Sequence, residues 1–231
     1  MVAEMTTPLE TARTRAVVEQ LLDEAVPVRR LWKPVVRLGL WGIVVTTIAG
    51  AVMGMGLMGF RPDLRLKVRE PVYLLELTAL AVAGILMAAS ALQDAVPGDE
   101  DRGPIRRVAI GFGLLAALLW FLQPLHGELS VTQFLGTGIG CAWRTVVLGA
   151  LPLCALLFAI RRGATFAPAR AGALAGGAAF LMAAFLMRVD CPLDERLHLL
   201  VWHALPVVGG AGVSAAIGFV WLRRWRSRAS R

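Results

Sequence analysis

Three cysteines, Cys141, Cys154 and Cys191, are the side chains of this sequence best suited to chemistry. They are too few for a disulfide scaffold, and none belongs to a CxxC pair of the kind that builds zinc sites. Cys191 lies in the run Asp190-Cys191-Pro192-Leu193-Asp194-Glu195, and His198 follows, so carboxylates and an imidazole crowd a thiol. Such a mixture of donors suits a thiophilic or borderline cation such as zinc. With Cys141 added, the candidate ligand set is Cys141, Cys191 and Asp194. Spacing alone leaves three readings of the two thiols open: a disulfide, a shared transient metal ion, or no connection.

Glu76 and Arg144 are ionisable residues expected within the membrane near one face, where a charge is a functional hypothesis by default. A structural ion pair between them is the simpler account. Cys154, near the middle of an apolar stretch, reads as an inert packing thiol. Trp202 and His203 read as interface and packing residues. No Gly-rich phosphate loop, no HExxH and no nucleophile with a companion base is present, so catalysis, a resident cofactor and a small-molecule substrate are not expected.

These residues are set among long apolar runs. The 231 residues are 57% hydrophobic, with a mean hydropathy of +0.67, too apolar for a soluble domain of this length. The net charge of +8 comes from basic residues between the runs rather than from a basic face, which argues against nucleic acid as a partner and for topology signals in a lipid bilayer. Six spans are expected, near 35–60, 72–92, 105–125, 143–160, 169–188 and 199–222, each close to the ~20 residues that cross a hydrocarbon core. The fold class is therefore all-α, a polytopic bundle of six transmembrane helices. Residues 1–34 form a cytosolic segment, 35–222 the bundle, and 223–231 a basic tail.

Thr7-Pro8-Leu9-Glu10 has the form of a capping box with proline at the first helical position, so a short helix should start there. Val17, Leu21 and Leu22 recur on one side of it, with Glu10, Arg13, Glu19, Gln20 and Asp23 on the other. Its acids and bases cancel, which disfavours a polybasic lipid anchor.

Orientation follows from the basic residues near the span ends. With the N-terminus inside, seventeen Lys and Arg are cytoplasmic and seven are outside, the 61–70 loop supplying four of those seven. Both termini are then cytoplasmic, and Cys141 and Cys191 share the outer, oxidising side of a bacterial inner membrane. In the fifth span, Gly172 and Gly176 form a GxxxG, read as close packing within the chain.

The chain resembles the NrsF-type membrane anti-sigma factors, named for negative regulation of sigma F. The resemblance runs from about Val17 to Trp225. It is carried by LLDEAVPVRRLWKPVVR at 21–37, Arg61-Pro62-Asp63-Leu64, Pro71, Glu76 and Pro97-Gly98. Gly140-Cys141, Arg144-Thr145, Pro152, Arg161-Arg162-Gly163-Ala164, AGALAG at 171–176, Cys191-Pro192 with Asp194, and Trp202 continue it in order. Two positions depart: Asp190 stands where the family usually has His, and His203 where it has Tyr. The resemblance implies a regulator that holds an extracytoplasmic-function sigma factor inactive and releases it under oxidative or metal stress. Cys141 and Cys191 would be the sensing thiols, and Val17, Leu21, Leu22, Arg29 and Arg30 the sigma-binding residues. A small six-helix transporter or channel is the alternative, but it would need polar groups lining a path at mid-membrane depth. A thiol enzyme exchanging disulfides is disfavoured by the lack of CxxC.

Overall fold

The computed structural model describes residues 8–23, 31–96, 103–125 and 130–223. Two compact units are present, residues 1–31 and 32–231. In the first, helix α1 spans Pro8–Asp23. Val17, Val18, Leu21 and Leu22 are all exposed on it. Thr7, the expected cap, and Arg29 and Arg30 lie outside the described residues.

The second unit is a helix bundle: α2 (Pro34–Gly54), α3 (Leu64–Lys67), α4 (Pro71–Gln93), α5 (Gly103–Phe121), α6 (Val131–Arg161), α7 (Pro168–Asp190), α8 (Arg196–His198), a π turn (Leu199–Ala204) and α9 (Leu205–Trp221). Six helical segments are long and apolar enough to cross a membrane, and no strand occurs among the described residues. Proline opens α2, α4 and α7, where its fixed φ suits the first turn and its missing N–H costs nothing. The helix read as starting near residue 143 begins at Val131 instead, capped by Ser130, whose hydroxyl accepts from the Gln133 amide while the Gln133 side chain accepts from the Ser130 amide.

The α7 helix is the central one, enclosed by α4, α6 and α9. Small residues make this possible. A Cβ on Gly172 would stand 2.2 Å from the Ser214 carbonyl oxygen, and one on Gly218 would stand 2.5 Å from that of Pro168, so α7 and α9 touch backbone to backbone. The GxxxG of α7 thus packs within the chain. Around this core, Leu, Val, Ile and Phe side chains such as Ile43, Leu114, Phe158 and Val220 remain exposed, which suits a bundle whose solvent is lipid. At the end where α4 and α6 finish, Arg37 is buried and donates to the carbonyls of Ala159 (2.6 Å) and Leu92 (3.5 Å), placing a cation where two helix dipoles are negative.

Candidate thiol and imidazole site

Cys141 sits on α6 three turns from its start, and Cys191 caps the C-terminus of α7. Their sulfurs lie 3.7 Å apart. Both thiols are free, Cys141 half-buried and Cys191 buried. The chain then runs without regular structure from Pro192 to Glu195 and turns through α8, which brings His198 Nε2 to 3.5 Å from the Cys191 sulfur.

A second imidazole joins them. One donor atom each from Cys141, Cys191, His198 and His203 lies within 4.8 Å of the others. His198 and His203 are five residues apart, and on an α-helix at 3.6 residues per turn they would point about 140° away from each other. The intervening segment is instead a π turn, whose i→i+5 bonding brings the two onto one face. Pro206, next to the turn, has no N–H to return to the Trp202 carbonyl, the kind of interruption that widens a helix. The ring centroids end 5.4 Å apart. Both histidines are fully buried, and His198 Nδ1 and both nitrogens of His203 have no hydrogen-bond partner among the described residues. Orphaned nitrogens beside two sulfurs are a donor set in want of an acceptor.

The Cys191 thiol is held well below the ordinary thiol range by the hydrogen bond from Cys141, against burial and with help from His198 and His203. Of the two thiols, Cys191 is the one whose surroundings favour the thiolate, the form that attacks oxidants and binds metals.

Asp194, read as a third ligand, is absent from this cluster. Its carboxylate is taken by three cations: Arg61 (2.9 Å), Lys67 (3.0 Å) and Arg188 (2.7 Å). The cost of leaving two buried guanidinium groups unpaired decides this placement. Likewise Glu76 does not pair with Arg144. Glu76 is fully buried and pairs with Arg188, also accepting from Trp120 Nε1 at 2.6 Å. Arg144 faces outward from α6, half-exposed, and pairs with Asp190 at 3.0 Å, whose other oxygen accepts from the Gly59 amide at 2.8 Å.

The ionic cluster frames the thiol site. Arg61 donates to Asp63 through Nε and to Asp194 through Nη1, with Nη2 shared between the two carboxylates, and Tyr73, flanked by Arg61 and Arg188, donates to the Arg188 carbonyl at 2.8 Å. His203 is a site member rather than a packing residue, whereas Trp202 does pack, with its ring against Gly138 and Phe134. Cys154 is exposed on the lipid-facing side of α6 rather than packed inside, apart from the other thiols.

The fold and site define a class: a six-helix membrane bundle whose polar chemistry is gathered at one end, as a thiol and imidazole cluster braced by buried ion pairs. The family described as "NrsF: Negative regulator of sigma F" matches residues 21–225, and the chain belongs to that family. The family is one of anti-sigma regulators, whose partner is a sigma factor. No curated protein and no solved structure matches the chain.

Proposed function

We propose that this chain is a membrane-bound anti-sigma factor that sequesters an extracytoplasmic-function sigma factor at a bacterial inner membrane and releases it when Cys141 and Cys191 meet an oxidant or a thiophilic metal. Residues 1–34 are the docking segment, with Val17, Leu21 and Leu22 as apolar anchors and Arg29 and Arg30 as polar contacts. The Lys and Arg asymmetry supports cytoplasmic termini, which turns the thiol end of the bundle toward the periplasm.

The observation that carries this reading is the meeting of two thiols fifty residues apart at a 3.7 Å separation. With peroxide as oxidant, the two thiols surrender two protons and two electrons, peroxide leaves as two waters, and an S–S bond of about 2.05 Å replaces the contact. With a metal, Cys141, Cys191, His198 and His203 would hold the ion as two thiolates and two neutral imidazoles, a donor set that suits zinc and softer cations. His198 Nε2 beside the Cys191 sulfur and the orphaned ring nitrogens of His203 fit that use. Either event ties α6 to the end of α7 more tightly. A difference of ~1.4 kcal/mol between the two site states in their preference for the sigma-binding conformation changes release tenfold.

The test is to replace Cys141, Cys191 and Cys154 singly by serine, and His203 by alanine, and to record sigma-dependent transcription with and without peroxide or cadmium. The expected result is loss of both responses at Cys141 and Cys191, an unchanged response at Cys154, and loss of the metal response alone for His203→Ala. Wild-type responses in both outer cysteine variants at unchanged protein levels would sink the reading.

A further inference from the structure

An apolar groove of about 590 Å³ runs between α4, α5, α7 and α9, within the ~300–1,000 Å³ of ligand pockets. α5 and α9 form its walls, and small residues open it: Gly113 and Ala117 on α5, Gly177 on α7 and Ala211 on α9. α5 reaches across to the π turn, and Trp120 and Ala204 line that end of the groove.

Its charge is confined to the other end, where Arg106 and Arg170 line it. Arg170 is bound to Asp94 at 2.7 Å. Arg106, in the first turn of α5, makes no hydrogen bond or ion pair with a described residue. Along α5, Arg106 and Trp120 are separated by about 21 Å at ~1.5 Å per residue. A trench at this depth meets lipid rather than water. One cationic end, reinforced by a helix N-terminus, on an otherwise apolar trench is the complement of an amphiphile with one anionic head and a long tail.

We propose that this groove binds one anionic glycerophospholipid, its phosphate at Arg106 and one acyl chain lying over Gly113, Ala117 and Gly177 toward Trp120. The tail then ends against the residue that donates to Glu76 and whose ring lies 6.3 Å from that of His203. Bound lipid thus abuts the brace of the thiol site. This inference stands on the groove alone and does not need the sensing reading.

The test is native mass spectrometry of the full-length protein released from micelles containing equal amounts of phosphatidylglycerol and phosphatidylcholine with identical chains. The unaltered protein is expected to retain one lipid with an about fivefold preference for phosphatidylglycerol, the worth of one basic residue at an anionic headgroup. Arg106→Gln should abolish the preference while lipid of either kind is still retained, and Ala117→Phe or Ala211→Phe should abolish retention. Glycerol phosphate in excess should not displace the lipid. Equal retention of the two lipids by the unaltered protein, or an undiminished preference in Arg106→Gln, overturns the proposal. The Arg106→Gln arm decides even where a groove-filling variant fails to fold.

Discussion

Arg188 and Glu76, 112 residues apart, pair in the interior of the bundle with side chains each about 1% exposed. The same guanidinium reaches Asp194 in the loop beyond Cys191. The pair therefore ties the thiol-bearing end of α7 to α4, and through the Trp120 hydrogen bond to α5.

Breaking this pair should be far worse than removing it. Arg188→Met leaves the buried Glu76 carboxylate without a cation, a loss of about 3–5 kcal/mol, whereas Glu76→Met leaves Arg188 with Asp194 alone. The double variant, in which Asp194 keeps Arg61 and Lys67, should unfold well above either single variant. Thermal unfolding in a fixed detergent measures this, and additive losses would show that the two side chains do not interact.

The α7 and α9 contact makes a steric prediction. Gly172→Ala places a methyl 2.2 Å from a backbone oxygen and should destabilise by about 1–3 kcal/mol. Gly42→Ala, with nothing within 4 Å of the new carbon, should instead stabilise α2 by about 0.5–1 kcal/mol. Equal effects of the two substitutions would contradict the close helix approach.

Asp194 predicts the response to acid. Burial would raise its carboxyl, but hydrogen bonds from Arg61, Arg188 and Lys67 and the charge of Arg188 outweigh that and hold it below the ordinary carboxylate range. A group with a depressed folded-state pKa contributes fully above its unfolded value, near ~3.9 for Asp, and the contribution fades as pH falls through the folded value. Asp194→Asn should be less stable than the unaltered protein at pH ~7, and the gap should narrow as pH drops below ~4. Unfolding temperatures across that range provide the check. A gap that stays constant would assign the effect to packing instead.

Leu21 on α1, 62% exposed, is the proposed central anchor for the sigma factor. Leu21→Asp should cost ~2 kcal/mol or more of binding, since central apolar anchors dominate helix-in-groove contacts. Co-purification of the sigma factor from cells making equal amounts of the variant measures this. Undiminished recovery would move the docking surface off α1.

The bundle was legible because each crossing needs an apolar run of about 20 residues, a pattern that survives without knowledge of packing. The early start of α6 was not, because Val131–Gly140 mixes Thr, Gln and Gly with apolar residues and carries its signal in the Ser130 and Gln133 cap. Cys141 and Cys191 were placed on one side by topology alone. His203 was missed because α-helical spacing turns it away from His198, and only a π turn, for which Pro206 was the available hint, brings the two imidazoles together. Arg188 ends the span expected over 169–188, and depth can be estimated from sequence while helix rotation cannot, so its pairing with Glu76 and Asp194 was hidden.

If the state of Cys141 and Cys191 sets sigma retention, full-length protein in nanodiscs loaded with its sigma factor should respond to it. Release is followed after cadmium or peroxide is added to reduced protein. Release is expected from the unaltered protein and from Cys154→Ser, with bound sigma retained by Cys141→Ser and Cys191→Ser under the same treatment. Release from the two outer serine variants as fast as from the unaltered protein would contradict it.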